Sequence, residues 1–279
     1  MHMQHDYAIP LASGPVVVKY GGNAMPDPKG DCADPTLVEI AELWRSGWPI
    51  VLVHGGGPEI DAALAQRGIA TERIDGMRVT NIETLAVTEA VLCATVNKRI
   101  VRALTVVGLP AAGMSGQDGA TLVARTMRSA AGPDLGYVGD VDDCDPRLVR
   151  TLLGAGFLPV VAPIALSSAA TTALNVNADF AAAALAGALN AQAFVAITNV
   201  PRVLRDVHDP NSAIETLTPS EARAFARTDA CLSGMKPKLL AAARAVTAGA
   251  AASYICAAGP GAIAAALFNQ DATIVKKAL

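Results

Sequence analysis

Aromatic residues are scarce in this chain, at 4% of 279 positions, and charged ones make up only 17%. A run of about eighteen uncharged apolar residues is missing too, so nothing in the sequence reads as a membrane-spanning helix. The richest segment, DFAAAALAGALNAQAFVAI (179–197), is alanine-heavy and broken by Asn190 and Gln192, as a buried helix followed by a strand would be. No run of Lys and Arg marks a polybasic arm, and the formal net charge is −3. The chain therefore has no electrostatic basis for holding nucleic acid. The opening residues, MHMQHDYAIPLASG, show no basic segment leading into an apolar one, so they do not read as a secretory signal, and a cytoplasmic protein is expected. Cys32, Cys93, Cys144, Cys231 and Cys256 never fall at CxxC spacing, and the four histidines never at HxxxH. Reduced thiols are expected, with no structural metal.

What is present is an alternation. Short β-rich runs such as VVVK (16–19), PIVLVH (49–54), AAGMSG (111–116), FLPVVAPIAL (157–166), AFVAITNV (193–200) and ASYICAAG (252–259) are separated by helical stretches. The runs are continuously apolar, as expected of central strands in a sheet covered on both faces. In TLVEIAELWRSG (36–47), Leu37, Ile40, Ala41 and Trp44 share one helical face. PEIDAALAQRG (58–68) begins with Pro and stops at Gly, and Asn81 is placed to cap a long helix over 81–104. This order predicts an α/β fold, an open and mainly parallel sheet between two helical layers, with enough residues for a large core. A change of organisation near 185–192 divides the chain into a lobe of residues 1–190 and a lobe of residues 191–279. In such sheets ligands collect where loops leave the carboxyl ends of the strands.

Two strands end in glycines at just that position, KYGG (19–22) and HGGG (54–57). Bare backbone N–H groups before a helix start make an anion site. One glycine pair alone is better explained by a tight turn, but two at adjacent strand ends favour phosphate or carboxylate binding. GxxxxGK[ST] does not occur, nor does a GxGxxG opening a helix after a strand, so this is not the common phosphate loop, and a further reading, a dinucleotide-dependent oxidoreductase, lacks its glycine fingerprint. Lys19, after three valines and before Gly21 and Gly22, suits charge neutralisation on a transferring phosphoryl group better than a surface role. Arg78 in DGMRVT could grip a carboxylate through two parallel hydrogen bonds, although a lone loop Arg is more often only solvated. LNVNADF places Asn175 and Asp179 four apart, on one face if a helix starts there, or as a plain N-cap and first-turn acid. GMKPK (234–238) puts two lysines at the start of an apolar helix, against its dipole, which favours an anionic partner such as a phosphate or Asp179.

Taken together, KYGGN, VHGGGPEID, DGMRVT, VNK, GMSGQDG, GYVGDV, FLPVVAPI, NVNAD, TNVPRVL and GMKPK resemble, in order and from about residue 15 to about 260, the amino acid kinase family. The combination is most similar to its members that phosphorylate the side-chain carboxylate of N-acetyl-L-glutamate in arginine biosynthesis. The resemblance implies a three-layer αβα sandwich whose N-terminal lobe holds the acyl amino acid and forms a homodimer, and whose C-terminal lobe holds ATP. It implies that Lys19 and Lys238 contact the transferring phosphoryl group from opposite sides, with Asp179 holding both ammonium groups. Gly22, Gly56 and Gly57 would donate backbone hydrogen bonds, Gly234 and Met235 would lie at the nucleotide, and Arg78 and Asn175 would hold the substrate. Mg²⁺ would travel with ATP.

The chain departs from the family pattern at Asn199 and Arg202, where Asp and Gly are usual, at Gln117, where Lys is frequent, and in the closing FNQDATIV. The short segment before Val16 implies a dimer without the arginine-controlled hexamer of some relatives. Competing readings are a kinase for N-acyl-aminoadipate, a kinase for carrier-bound glutamate or aminoadipate, and a non-catalytic sensor of the same fold.

Overall fold

The computed structural model describes residues 14–21, 34–74, 76–128, 134–232 and 234–278. The three valines before Lys19 form β1 (Val16–Tyr20), and α1 (Pro35–Arg45) follows, capped by the Asp34 carboxylate accepting from the Thr36 N–H at 2.8 Å. Next come β2 (Ile50–His54) and α2 (Gly57–Gln66), then a hairpin of β3 (Arg73–Ile74) and β4 (Met77–Arg78). The long helix expected over 81–104 is present as α3 (Ile82–Glu89), a π-helical segment (Ala90–Val96) and α4 (Asn97–Val106), with Asn81 capping through the Thr84 N–H at 2.8 Å. The chain continues through β5 (Ala111–Ser115), β6 (Leu122–Thr126), β7 (Val138–Cys144), α5 (Arg147–Gly154), β8 (Leu158–Ala162), β9 (Ile164–Ser167), β10 (Ala173–Val176) and α6 (Ala178–Ala188). It closes with β11 (Ala193–Thr198), β12 (Thr216–Leu217), α7 (Pro219–Phe225), α8 (Lys236–Ala248), β13 (Ala252–Ala257), α9 (Ala262–Leu267) and β14 (Ala272–Lys276).

Eight strands make one open sheet in the order β12-β14-β13-β11-β1-β2-β8-β5, parallel throughout except where β14 runs antiparallel to β13. The αβα sandwich expected from the sequence is therefore what forms. Each valine of β1 is buried because both faces are covered, and the strand period of two sorts them. Val16 and Val18 join Ile50 and Leu52 against α1, α2, α3, α4 and α9, while Val17 joins Val51 and Val53 against α5, α6, α7 and α8. Lys19, two positions beyond Val17, points to the second face, where α6 packs. β1 sits at the switch point, with β2 on one side and β11 on the other, and such a crevice is where open α/β sheets bind ligands.

Three expectations are corrected. Ala111–Ser115 is not central, since β5 is the outermost strand on its side and pairs within the sheet only with β8. FLPVVAPIAL is not one strand. At Pro163, which can donate no ladder bond, the chain leaves the sheet, and β9 closes a small barrel with β10, β7 and β6. Asn175 is not on a helix, because β10 pairs it with Ile164 and Val138, and the residue that caps α6 is Asn177, accepting from the Asp179 N–H at 2.8 Å.

Two buried contacts tie the layers. Near the end of α6, a Cβ added to Gly187 would stand 2.5 Å from the Ala248 Cβ and 3.3 Å from its carbonyl carbon, so glycine there lets α6 and α8 cross closely. Gly187→Ala gains helix propensity but overpacks the crossing, and we expect it to lower the unfolding free energy by about 1–3 kcal/mol in urea titrations. On the opposite face, the buried Glu39 carboxylate of α1 accepts from the Ala264 N–H of α9 at 2.9 Å. Burial pushes its pKa up to about 7, against the pull of the α9 amides. Below the ordinary value of 4.5 it carries a proton in both states. As pH rises towards 7 the unfolded chain releases that proton first, so stability falls and the full cost remains above 7. Glu39→Gln should therefore match the native protein at pH 4 and exceed it at pH 8, by something on the order of 2–3 kcal/mol, in unfolding titrations at the two pH values.

Candidate active site

At the carboxyl edge of β1, the Lys19 ammonium lies 3.2 Å from Asp179 Oδ1, both side chains being about nine-tenths buried or more. The contact is an ion pair without hydrogen-bond alignment. Asp179 sits in the first turn of α6, where the positive pole of the helix favours its carboxylate. Across from it, Lys238 in the first turn of α8 places its ammonium 3.8 Å from Asp179 Oδ2 and 3.4 Å from the Gly234 carbonyl. Burial lowers the Lys238 pKa, Asp179 raises it and Lys19 lowers it again. The lysine set against its helix dipole thus has the anionic partner its position calls for. The cluster of two ammonium groups and one carboxylate still carries one positive charge beyond what the carboxylate offsets.

Two cavities meet at this cluster. The smaller, about 250 Å³, is lined by Lys19, Gly56, Gly57, Arg78, Asn175 and Asp179, among others. The larger, about 680 Å³, is lined by Gly21, Gly234, Met235 and Lys238, with Thr198 and Asn199 at the end of β11 and apolar walls from Val203, Leu204 and Phe225. The residues picked out in the sequence therefore divide between two neighbouring spaces, with Asp179 joined to a lysine of each. Gly22 lies outside the described residues.

The glycines differ in what they do. A Cβ on Gly21 would meet the Gly55 nitrogen at 2.8 Å and its Cα at 2.9 Å, so the two strand ends touch through bare backbone, where the Gly55 N–H donates to the Tyr20 carbonyl at 2.8 Å. Gly56 is closed in by Leu92 Cδ2, 2.8 Å from a virtual Cβ. Around Gly57 that position is open, with only the Arg73 guanidinium at 4.0 Å, so crowding does not account for this third glycine.

Arg78 is buried on β4 rather than on a loop. Its Nη1 donates to Asp61 Oδ1 at 2.5 Å and to Thr71 Oγ1 at 3.4 Å, and its Nη2 to the Gly57 carbonyl at 3.3 Å. The Nε–H and the second Nη2–H remain for a ligand carboxylate. Asp61 also binds Arg73 at 2.8 Å, and the two guanidinium groups hold its carboxyl below the usual range despite some burial. Asn175 donates to Thr80 Oγ1 at 3.3 Å and keeps its carbonyl end for the cavity that it lines. Asp61, Arg73 and Thr80 were not picked out in the sequence. Isolated charges and a threonine in turn-rich segments give no periodic signal, and only the hairpin brings them together. Of the departures from the family pattern, Asn199 and Arg202 both line the larger cavity, and Arg202 lies 3.7 Å from Asp271 and 3.9 Å from Glu215. The described thiols are poor nucleophiles: burial pushes Cys93 up to about 11 and Cys144 and Cys256 to about 12, and raises Cys231 as well, while Cys32 lies outside the described residues.

Replacing Asp179 by Asn would leave two buried ammonium groups facing each other. Breaking a buried ion pair from one side costs about 3–5 kcal/mol, and we expect a loss near 3 kcal/mol at pH 7. The Lys238 pKa is depressed in the folded protein, so the cost of its charge is full below that pKa and fades as pH rises towards 10.5. The deficit of Asp179→Asn should accordingly shrink in unfolding titrations carried from pH 7 to pH 10.

The amino acid kinase family pattern matches residues 14–257. The chain is 38% identical over 244 residues to the acetylglutamate kinase of Brevibacillus brevis, covering 87% of this chain and 89% of that protein. To the acetylglutamate kinase of Methanopyrus kandleri it is 43% identical over 216 residues, 76% of this chain and 87% of the other. Among solved structures, N-acetylglutamate synthase from Neisseria gonorrhoeae, in complex with coenzyme A and N-acetyl-glutamate, shares the fold with a TM-score of 0.78 at 24% identity. That match covers 95% of this chain and 60% of the longer one. Matched by the family pattern over most of its length and more than 30% identical to these kinases, the chain belongs to the amino acid kinase family.

Proposed function

We propose that this chain transfers the γ-phosphoryl group of ATP to the side-chain carboxylate of N-acetyl-L-glutamate, a step of arginine biosynthesis. The observation that carries the reading is Asp179 held between two ammonium groups, each lining a different cavity. The smaller cavity suits an acyl amino acid, with the free edge of Arg78 and the Asn175 amide for its α-carboxylate and acyl-amino portion. The larger one, with its apolar walls and Lys238, suits a nucleotide, with Gly234 and Met235 beside it.

In this reaction a carboxylate oxygen attacks the γ-phosphorus while the bond from that phosphorus to the β,γ-bridging oxygen breaks, giving an acyl phosphate and ADP. The attacking carboxylate is already ionised at neutral pH, so no proton has to be removed. Catalysis reduces to alignment and to neutralising charge between two anions. Lys19 does this from the acceptor side and Lys238 from the nucleotide side, and the amides of Gly56 and Gly57, with Gly22, are donors to the oxygens in transit. Asp179 keeps the two ammonium groups apart and aimed. The larger cavity offers no carboxylate among its described lining residues, and among the described residues no three His, Cys, Asp or Glu side chains converge. Mg²⁺, which supplies further charge neutralisation, would therefore be held mainly by the nucleotide phosphates and water.

The division of labour follows the sheet, with residues 1–190 as the acyl amino acid lobe and residues 191–279 as the nucleotide lobe. The partition is supported by the strands after residue 190 lying on one side of β1 and the earlier strands of the sheet on the other. We further propose a homodimer, for which Val106, 86% accessible at the end of α4, offers an apolar contact near the edge strand β5, and a cytoplasmic location in keeping with the biosynthetic relatives. No helix among the described residues is long and apolar enough to cross a membrane.

The test traps the acyl phosphate as a hydroxamate in the presence of ATP, with N-acetylglutamate beside N-acetylaminoadipate, glutamate and aspartate. Turnover with N-acetylglutamate alone is the expected result, and turnover with none of them while ATP still binds would reject the reading. Lys19→Ala and Lys238→Ala should each lower kcat by roughly two to four orders of magnitude while changing substrate affinity far less, as loss of transition-state charge stabilisation does.

A further inference from the structure

His54 ends β2 with no exposed surface, directly before the three glycines. It does not reach either cavity. Its Nδ1 lies 2.8 Å from the Gly55 carbonyl oxygen. A carbonyl can only accept, so Nδ1 carries the proton and Nε2 is left as an acceptor. Nε2 is met by the Asn97 side-chain amide at 3.2 Å, which is a donor and completes the same tautomer. Asn97 is itself buried, and its Nδ2 has two hydrogens for three acceptors: it donates one to the Val160 carbonyl in the middle of β8 at 2.9 Å and shares the other between Nε2 and the Met114 carbonyl of β5 at 3.3 Å.

The placement of Asn97 follows from the π-helical segment just before it. That wider turn sets Leu92 and Val96 against Gly56, 2.8 and 3.2 Å from where a Cβ would stand, and brings Asn97 inward at the first residue of α4. The Gly55–Gly56 peptide is thus fixed on two sides. Its carbonyl is held by the imidazole, and its flank is closed by Leu92 and Val96. In a trans peptide the N–H points opposite to the C=O, so holding the Gly55 carbonyl sets the direction of the Gly56 N–H. The charged groups nearest the ring, Glu59 of α2 and Arg99 of α4, are paired with each other and act on it in opposite senses.

We infer that His54 and Asn97 form a positioning pair, in which a neutral Nδ1–H imidazole held by Asn97 aims the Gly56 N–H at the phosphoryl-transfer centre without itself exchanging a proton. The inference rests on the phosphoryl-transfer reading of the site. It deepens that reading by assigning the histidine of HGGG to the loop backbone rather than to the substrate.

Two measurements test it. In long-range ¹H–¹⁵N spectra of the native enzyme, with His54 assigned by its loss in a variant, the ring should show protonated Nδ1 and bare Nε2, unchanged from pH 5.5 to 8. An Nε2–H ring, or one titrating in that range, would overturn the inference whether or not the enzyme's substrate has been identified. In the acyl-phosphate assay, His54→Leu should lower kcat roughly 10- to 100-fold, less than outright loss of an oxyanion donor. The KM for ATP should stay within about twofold. His54→Asn, whose amide can replace Nδ1–H as donor to the Gly55 carbonyl, should recover most of kcat. A Leu variant with native kcat, or an Asn variant no better than Leu, would overturn it. Should His54→Leu fail to fold, Asn97→Ala takes its place and should shift the native ring towards the Nε2–H tautomer, with a fall in kcat. An unshifted ring and native kcat in that variant would refute the pair. Absence of kinase activity in the native protein would instead refute the functional reading, and the tautomer measurement would then decide the role of His54 separately.

Discussion

The Lys19–Asp179–Lys238 cluster is the constraint on which the rest of the architecture depends. Each of these groups would be costly to bury alone, and the cluster is tolerable only with the carboxylate held between the two ammonium groups. That requires three elements from distant parts of the chain to hold a common register: the end of β1, the first turn of α6 and the first turn of α8. The glycine at position 187, which lets α6 and α8 cross closely, is one condition for this. The parallel sheet, which places β1 at the switch point, is another. With two cations to one anion, the cluster stays short of negative charge, and an anion arriving from either cavity relieves a cost the fold has already incurred.

The glycines serve that cluster in different ways. Gly21 and Gly55 let two strand ends touch, which keeps Lys19 and the β2 loop within one site. Gly56 is walled by the π-helical segment and Gly57 opens α2, so backbone N–H groups and a helix pole face the same small space as the Lys19 ammonium. Arg78 reaches that space from the hairpin with Asp61 of α2 taking up its Nη1 and the Gly57 carbonyl one Nη2–H, which leaves the Nε–H edge free.

Much of this was legible in the sequence because it left local conflicts there. A lysine at the end of a valine strand, glycines where a turn needs only one, and lysines against a helix dipole are all contradictions that a ligand or a counter-ion resolves. Asp179 as the partner of Lys238 follows from such a conflict. The same reading failed where tertiary pairing overrides local pattern. Asn175 and Asp179 are four apart, but a strand pairing takes Asn175 out of the helix, so the two reach the cavity from different elements. FLPVVAPIAL looks like one strand until Pro163, whose missing donor marks the exit from the sheet. The barrel of β6, β7, β9 and β10 was not anticipated at all, because its segments are short, Gly- and Asp-containing, and stable only once closed on one another. The π-helical segment left no trace either, since its composition, AVLCATV, is that of an ordinary buried helix.

The nature of the acceptor follows from which groups are free to take a proton. Phosphoryl transfer to a hydroxyl needs a base near the attacking oxygen. Asp179 is the one carboxylate among the described residues lining the smaller cavity, and both its oxygens face ammonium groups. Asp61, close behind the cavity, is occupied by two guanidinium groups. His54 lies within one residue of the glycine loop, but burial pushes its pKa down to about 4 and both ring nitrogens face hydrogen-bond partners in the protein. Cys93 and Cys144 hold their protons to far above neutrality. Among its described residues, a site arranged in this way offers cations and backbone donors in quantity and no base at liberty. An alcohol presented to it would keep its proton, whereas a carboxylate arrives already ionised and finds every partner it needs. The site thus selects its acceptor by omission as much as by contact, and the same burial that silences the titratable groups strengthens the ammonium groups that stabilise the transfer.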